Sequence, residues 1–166
     1  MTPDRHGSAV VEFPNELEVV TTREFDAPIA LVFDALTKPE HVSKWFAPFR
    51  CEVTECSIDL RVGGSYHIVF VTGDGTECSF RGTYLEVEPP TRTVATWLFE
   101  GWPDVDAVES VDLRETGGVT KLTMTLAFRD KAGRDHMTRH DGQEDSFDKL
   151  EDLLRSLLDP QGAVSG

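Results

Sequence analysis

His136 and His140 stand four residues apart, with Asp135, Asp141 and Glu144 close by in the chain. On a helix that spacing puts both imidazoles on one face, the geometry a helical metal site uses. The order is not His-Glu-x-x-His and no strand offers a third ligand, so the stretch reads as the polar entrance to a helix. No metal and no cofactor is expected. His67 has apolar neighbours, but its parity is opposite to that of Tyr66, Ile68 and Phe70, which places it on the outer side of a strand. A general base also needs a positioned substrate proton. Cys51, Cys56 and Cys78 are odd in number and contain no Cys-x-x-Cys spacing; Cys51 and Cys56 fall on opposite faces of one strand. They read as reduced, packed thiols. No Ser-His-Asp set, phosphate loop or dinucleotide fingerprint occurs, so no catalytic residue is assigned; a non-enzymatic binding module is the leading reading and an enzyme stays open.

The aromatic residues are more informative. Trp45, Phe46, Tyr66, Phe70, Phe80, Tyr84 and Trp97, with Met124 and Met137, are the candidate lining of a ligand cavity. Apolar walls with a few orienting polar groups are what such cavities require. The Tyr66 and Tyr84 hydroxyls and one Trp N–H are the candidate orienting groups. Arg61 and Arg81 are placed to neutralise a carboxylate at a cavity mouth, or to lie on the surface.

These side chains must be held by strands and helices legible in the chain. Leu17–Phe25 alternates with β-branched residues, as a strand does. Asp26 stands where an N-cap belongs, and Pro28 fits a first helical turn. Ile29, Val32, Phe33 and Leu36 follow at helical spacing. Thr37-Lys38-Pro39-Glu40 has the form of a capping box before a second short helix with Val42, Trp45 and Phe46 on one side. Strands are then expected over 51–58, 65–72, 77–87, 93–100, 108–115 and 119–129, with turns at Gly73-Asp74-Gly75 and Gly117-Gly118. Phe147, Leu150, Leu153, Leu154, Leu157 and Leu158 give the final helix, taken over 137–158, an apolar stripe. Consecutive hairpins followed by an amphipathic helix indicate α+β architecture.

At 166 residues the chain suits one domain, read as 15–159, with a flexible leader at 1–14 and a flexible tail at 160–166. The net charge of −14, from 16 basic and 30 acidic residues, disfavours nucleic acid as a partner and favours cations. No stretch is long and apolar enough to span a bilayer and the start lacks a signal-peptide core, so a cytoplasmic monomer or homodimer is expected.

Phe25-Asp26-Ala27-Pro28, Thr37-x-Pro39-Glu40-His41, Trp45-Phe46, Asp59-Leu60-Arg61-x-Gly63-Gly64, Gly73-Asp74-Gly75-Thr76 and Gly82-Thr83-Tyr84-Leu85-Glu86-Val87-Glu88-Pro89-Pro90-x-Arg92, with the leucine-rich last helix, occur in that order. Over about residues 17–158 the chain resembles the START-like (SRPBCC) superfamily, in the branch called activator of heat shock protein 90 ATPase homologue-like. The resemblance implies a helix-grip fold, in which a curved antiparallel sheet wraps a long C-terminal helix, with two short helices after the first strand. It implies a small apolar or amphipathic ligand, lipid-like molecules included, held between sheet and helix. The branch name implies a co-chaperone-like protein-binding module as the alternative, and some superfamily members imply a cyclase- or hydrolase-type enzyme using the same cavity. The chain departs from many relatives at Gly142-Gln143, where they carry Gly-Trp.

Overall fold

Alternating strands joined by glycine turns can pair only with their neighbours, and the sheet follows that rule through most of its width. The structure, a computed structural model, describes residues 7–47, 50–100, 106–139 and 143–158, with the backbone alone at 136–139 and 143–145. The elements are β1 (Val10–Glu12), β2 (Glu18–Phe25), α1 (Ile29–Thr37), α2 (Pro39–Trp45), β3 (Glu52–Ile58), β4 (Ser65–Val71), β5 (Glu77–Glu88), β6 (Arg92–Phe99), β7 (Asp106–Thr116), β8 (Val119–Phe128), α3 (Lys131–Arg139) and α4 (Gln143–Leu158). The eight strands form one curved sheet in the order β1-β2-β8-β7-β6-β5-β4-β3, every pair antiparallel. This is the helix-grip architecture.

Three expectations need correction. The segment 1–14, read as a flexible leader, contains β1, which pairs with β2 from Val10↔Thr22 to Glu12↔Val20. The last helix, taken over 137–158, begins at Gln143, and residues 131–139 form a separate helix, α3. Finally, neither short helix is capped as its sequence suggests. The N-cap of α1 is Pro28, not Asp26, and the first helical N–H, that of Ile29, donates to Glu115 Oε1 from the end of β7 at 2.7 Å. Thr37 does not cap α2; its hydroxyl donates back to Phe33 O at 2.7 Å, so the N-cap of α2 is Lys38. In both places a group is satisfied tertiarily or within α1, which competes with the local cap. The tail 160–166 lies outside the described residues.

The inner face of the sheet is ordered in rows across the strands. Tyr84, Ala95, Glu109, Leu126 and Val19 form one row over β5, β6, β7, β8 and β2. Val87, Thr93, Val111, Met124 and Thr21 form the next. Two glycine sites set this geometry. Gly117 and Gly118 turn the β7–β8 hairpin at φ of 58° and 84°, angles that L side chains rarely adopt. At Gly82 a Cβ would lie 1.8 Å from Thr96 O and 2.6 Å from the Tyr66 ring, so glycine lets the β5 backbone close on β6 beneath that ring.

The core beneath the helices contains Phe25, Val32, Leu122, Phe147 and Leu150. Arg23 sits among them with its side chain fully enclosed, because it shares inward parity with Val19, Thr21 and Phe25. Its Nη2 donates to Asp148 Oδ1 at 3.0 Å and Glu151 Oε1 at 2.8 Å on α4, and its Nε donates to Ser8 Oγ at 2.9 Å. The guanidinium lies 5.0 Å over the Phe25 ring, whose edge meets Phe147 at 6.2 Å. Breaking one partner of a buried pair leaves the other charge stranded. Arg23→Ala should therefore lower stability by about 3 kcal/mol in urea denaturation, whereas Arg23→Met with Glu151→Leu should recover most of that loss. Equal stability of Arg23→Ala and the wild type would show that the pair does not hold α4.

Candidate ligand-binding cavity

Between the inner face of the sheet and the helices lies a cavity of about 250 Å³. It is just below the ~300–1,000 Å³ usual for small-molecule sites. Its floor is the sheet. Its roof, among the described residues, is Phe33, Leu36 and Thr37 of α1, Val42 and Trp45 of α2, Phe46, and Ser146 and Phe147 at the start of α4. The deeper α4 residues Leu150 and Leu154 pack into the core instead. The gap is therefore roofed largely by the two short helices.

Of the residues the sequence singled out, Trp45, Phe46, Tyr66, Phe70, Phe80, Tyr84, Trp97 and Met124 all border this cavity. The side chain of Met137 lies outside the described residues, as do those of His136 and His140 and all of Trp102. Phe80 is the hub of the aromatic end: its ring centroid is 5.5 Å from Phe46, 5.8 Å from Phe70, 5.7 Å from Trp97 and 5.0 Å from Phe99. Edge-to-face and offset contacts of this kind fix ring orientations. Sequence parity gathers these rings because each belongs to the inner face of its strand, with Phe46 descending from the end of α2.

Most polar atoms at the wall already have partners. Trp45 Nε1 donates to Ala35 O at 2.7 Å, so this Trp N–H is not an orienting group. The Tyr66 hydroxyl donates to Thr96 O at 3.1 Å. Ser146 Oγ donates to Phe46 O at 2.7 Å, fastening α4 to the end of α2. Arg92 is paired with Asp112 at 2.7 Å and Glu86 at 3.6 Å. Arg61 and Arg81 do not reach the cavity wall: Arg61 is exposed against Asp59 at 2.9 Å, and Arg81 against Glu100 at 3.5 Å. His67 faces outward, with Nδ1 3.3 Å from Glu55 Oε1. Burial pushes the Cys56 thiol up to about 11, so it stays protonated near neutral pH and is a poor nucleophile.

Four polar groups differ. The Tyr84 and Thr93 hydroxyls, the Trp97 indole N–H and the Glu109 carboxyl belong to lining residues, and none has a side-chain hydrogen-bond partner among the described residues. Sequence reasoning missed Glu109. The signal was its parity, shared with Ala107, Val111 and Leu113 on β7. Its neighbours in the row are Ala95, too small to cover it, and Leu126. It is half-buried, at the cavity wall. Burial accordingly raises its pKa from the usual 4.5 to about 7. Burial first, and then the nearby Glu109 charge, also raise the Tyr66 and Tyr84 hydroxyls, which remain protonated donors. Among the described residues no group of three His, Cys, Asp or Glu side chains could hold a metal ion, and no helix is long and apolar enough to cross a membrane.

The family model described as "Activator of Hsp90 ATPase homolog 1-like protein" matches residues 26–155. A crystal structure of a Rhodobacter sphaeroides protein superposes at TM-score 0.83 with 22% identity, covering 90% of this chain and 99% of that one, a likeness of fold alone. A Nitrosomonas europaea protein is 27% identical at TM-score 0.77, covering 87% of this chain and 98% of its own. A Chromobacterium violaceum protein is 28% identical at TM-score 0.71, with 86% and 98% covered. No functionally curated protein matches the chain.

The raised Glu109 pKa has a sign in stability. Between about 4.5 and 7 the folded chain keeps a proton that the unfolded chain has lost, so this group's contribution falls as pH rises through that window. Glu109→Gln should remove the penalty, gaining up to ~3 kcal/mol over the wild type at pH 8 and close to nothing at pH 4. Urea denaturation of both proteins at the two pH values measures it, and an equal difference at both would mean that the carboxyl is solvated.

Proposed function

The chain belongs to the activator of Hsp90 ATPase homolog 1-like family, and we propose that it binds a small, mostly apolar molecule in the cavity between the sheet and α1–α2. The single observation that carries this reading is an aromatic pocket of about 250 Å³ whose lining includes unengaged polar groups, Tyr84 and Glu109 among them. A packed core would fill such a space, since empty volume forfeits dispersion contacts. Trp45, Phe46, Phe70, Phe80, Trp97 and Met124 supply the apolar contact, at roughly 25 cal/mol per Å² before association costs. Tyr66 serves as an acceptor, and Tyr84 as a donor.

Glu109 favours a second reading, a proton-transfer enzyme in the same cavity. A carboxyl that titrates near 7 beside a tyrosine donor has the properties general acid–base catalysis uses. The two readings part on the fate of the ligand. Native mass spectrometry of the purified protein is expected to show a co-purified small molecule that is recovered unchanged after prolonged incubation. Conversion that stops in Glu109→Gln would establish the enzyme.

Binding also predicts a variant. Ala95→Phe fills the hollow between Tyr84 and Glu109, so it should abolish the melting-temperature rise that apolar probes such as 1-adamantanol give the wild type. Far-UV circular dichroism checks that the sheet is retained. No probe-induced shift in the wild type, together with no co-purified molecule, would remove the binding reading.

A further inference from the structure

A carboxylate inside an apolar cavity can be stabilised by a proton, by a neutral hydrogen-bond donor or by a cation. Low surrounding polarity makes the third interaction the strongest, because the attraction is poorly screened there. Among the described residues the cavity wall supplies no free cation. Facing Glu109 are Tyr66 from β4 and Tyr84 from β5, both neutral. Arg92 at the start of β6 is engaged by Asp112 and Glu86. The described lining from β2, β8, α1, α2 and α4 carries no ionisable side chain, and Cys56 of β3 stays a neutral thiol. Arg23 is held under α4 by Asp148 and Glu151 and does not border the cavity.

We propose that the ligand is a compact apolar molecule carrying one basic nitrogen, whose ammonium pairs with Glu109 while its hydrocarbon body lies against the Phe46–Phe70–Phe80–Trp97 end. This rests on the binding reading above. The wall selects for it twice. Ala95 beside Glu109 leaves lateral room for an ammonium group, while the aromatic cluster offers an apolar bed for the hydrocarbon body. An anionic ligand would meet the carboxylate as a like charge. The net charge of −14 adds long-range attraction for a cation and repulsion for an anion before contact is made.

The test uses the full chain and three rigid probes of one shape: 1-aminoadamantane, 1-adamantanol and adamantane-1-carboxylate. Isothermal titration at pH 8 should find the amine at least ten-fold tighter than the alcohol, and the carboxylate weakest. In Glu109→Gln the amine's advantage should shrink to within about two-fold while the alcohol's affinity is retained. In the wild type at pH 5.5 a proton must leave Glu109 before the ammonium can pair, so the advantage should fall by roughly ten-fold or more. That arm stands even if the variant fails to fold. Equal affinity of amine and alcohol at pH 8, or an amine preference that survives Glu109→Gln, overturns the inference and leaves the binding reading intact. Binding of none of the three defeats the inference, and with no co-purified molecule it defeats the binding reading too.

Discussion

A guanidinium without access to water, that of Arg23, decides where the last helix sits. Asp148 and Glu151 grip it from α4, and Arg155 closes the set by donating to Glu151 Oε2 at 2.9 Å. Two cations and two anions thus share one site, which limits the desolvation cost of each. A leucine stripe alone tolerates sliding and rotation, because burial has no direction. The Arg23 grip removes that freedom at the far end of β2, and Ser146 and Lys149 remove it at the start of α4 by donating to Phe46 O and Ala47 O at 2.7 and 2.8 Å. The helix is consequently docked over Phe25 and Leu122 and cannot settle onto the rows that contain Glu109 and Val111.

The cavity follows from that constraint. With α4 held back, the uncovered rows are closed by the shorter α1 and α2. Their tether is also polar: Ile29 N donates to Glu115, and Thr120 Oγ1 donates to Ala27 O at 2.7 Å. Small side chains deepen the floor. Ala95 leaves the centre of the sheet low, while Trp97, Phe128 and Phe80 raise one end. Gly82 contributes differently: its missing Cβ lets β5 press on β6, so the Tyr66 ring lies against the strand with its hydroxyl on Thr96 O. Curvature, hollow and aromatic wall are then parts of one arrangement.

How much of this was legible depends on which signal a residue carried. Strands β3 to β8 were readable because period-two alternation and glycine turns speak directly to local backbone. The aromatic wall was readable for the same reason, since parity assigns Tyr66, Phe70, Phe80 and Trp97 to the inner face. Arg23 and Glu109 obey the same parity as their apolar neighbours, yet a charged residue in a strand is ordinarily read as the solvated side. What distinguishes them is what stands opposite: two carboxylates on α4 in one case, a hollow in the other. Neither partner is local in sequence. The missed caps have the same origin, because Glu115 reaches Ile29 across 86 residues of chain. The division of the last helix into α3 and α4 was hidden by the polar run 139–146, where helical periodicity carries little apolar signal.

The contrast between the two inward charges bears on function. Arg23 is satisfied several times over, as a buried charge must be if it is to contribute to structure. Glu109, half-buried at the cavity wall, has no side-chain partner among the described residues and is pushed towards its neutral form. A glutamine or leucine at that position would pack against Leu126 without the penalty, so the carboxyl detracts from the fold at neutral pH. Groups that weaken a fold while facing an accessible space concentrate where something else binds or reacts. The same inner face thus holds one charge that fixes the last helix and one that has no side-chain partner among the described residues.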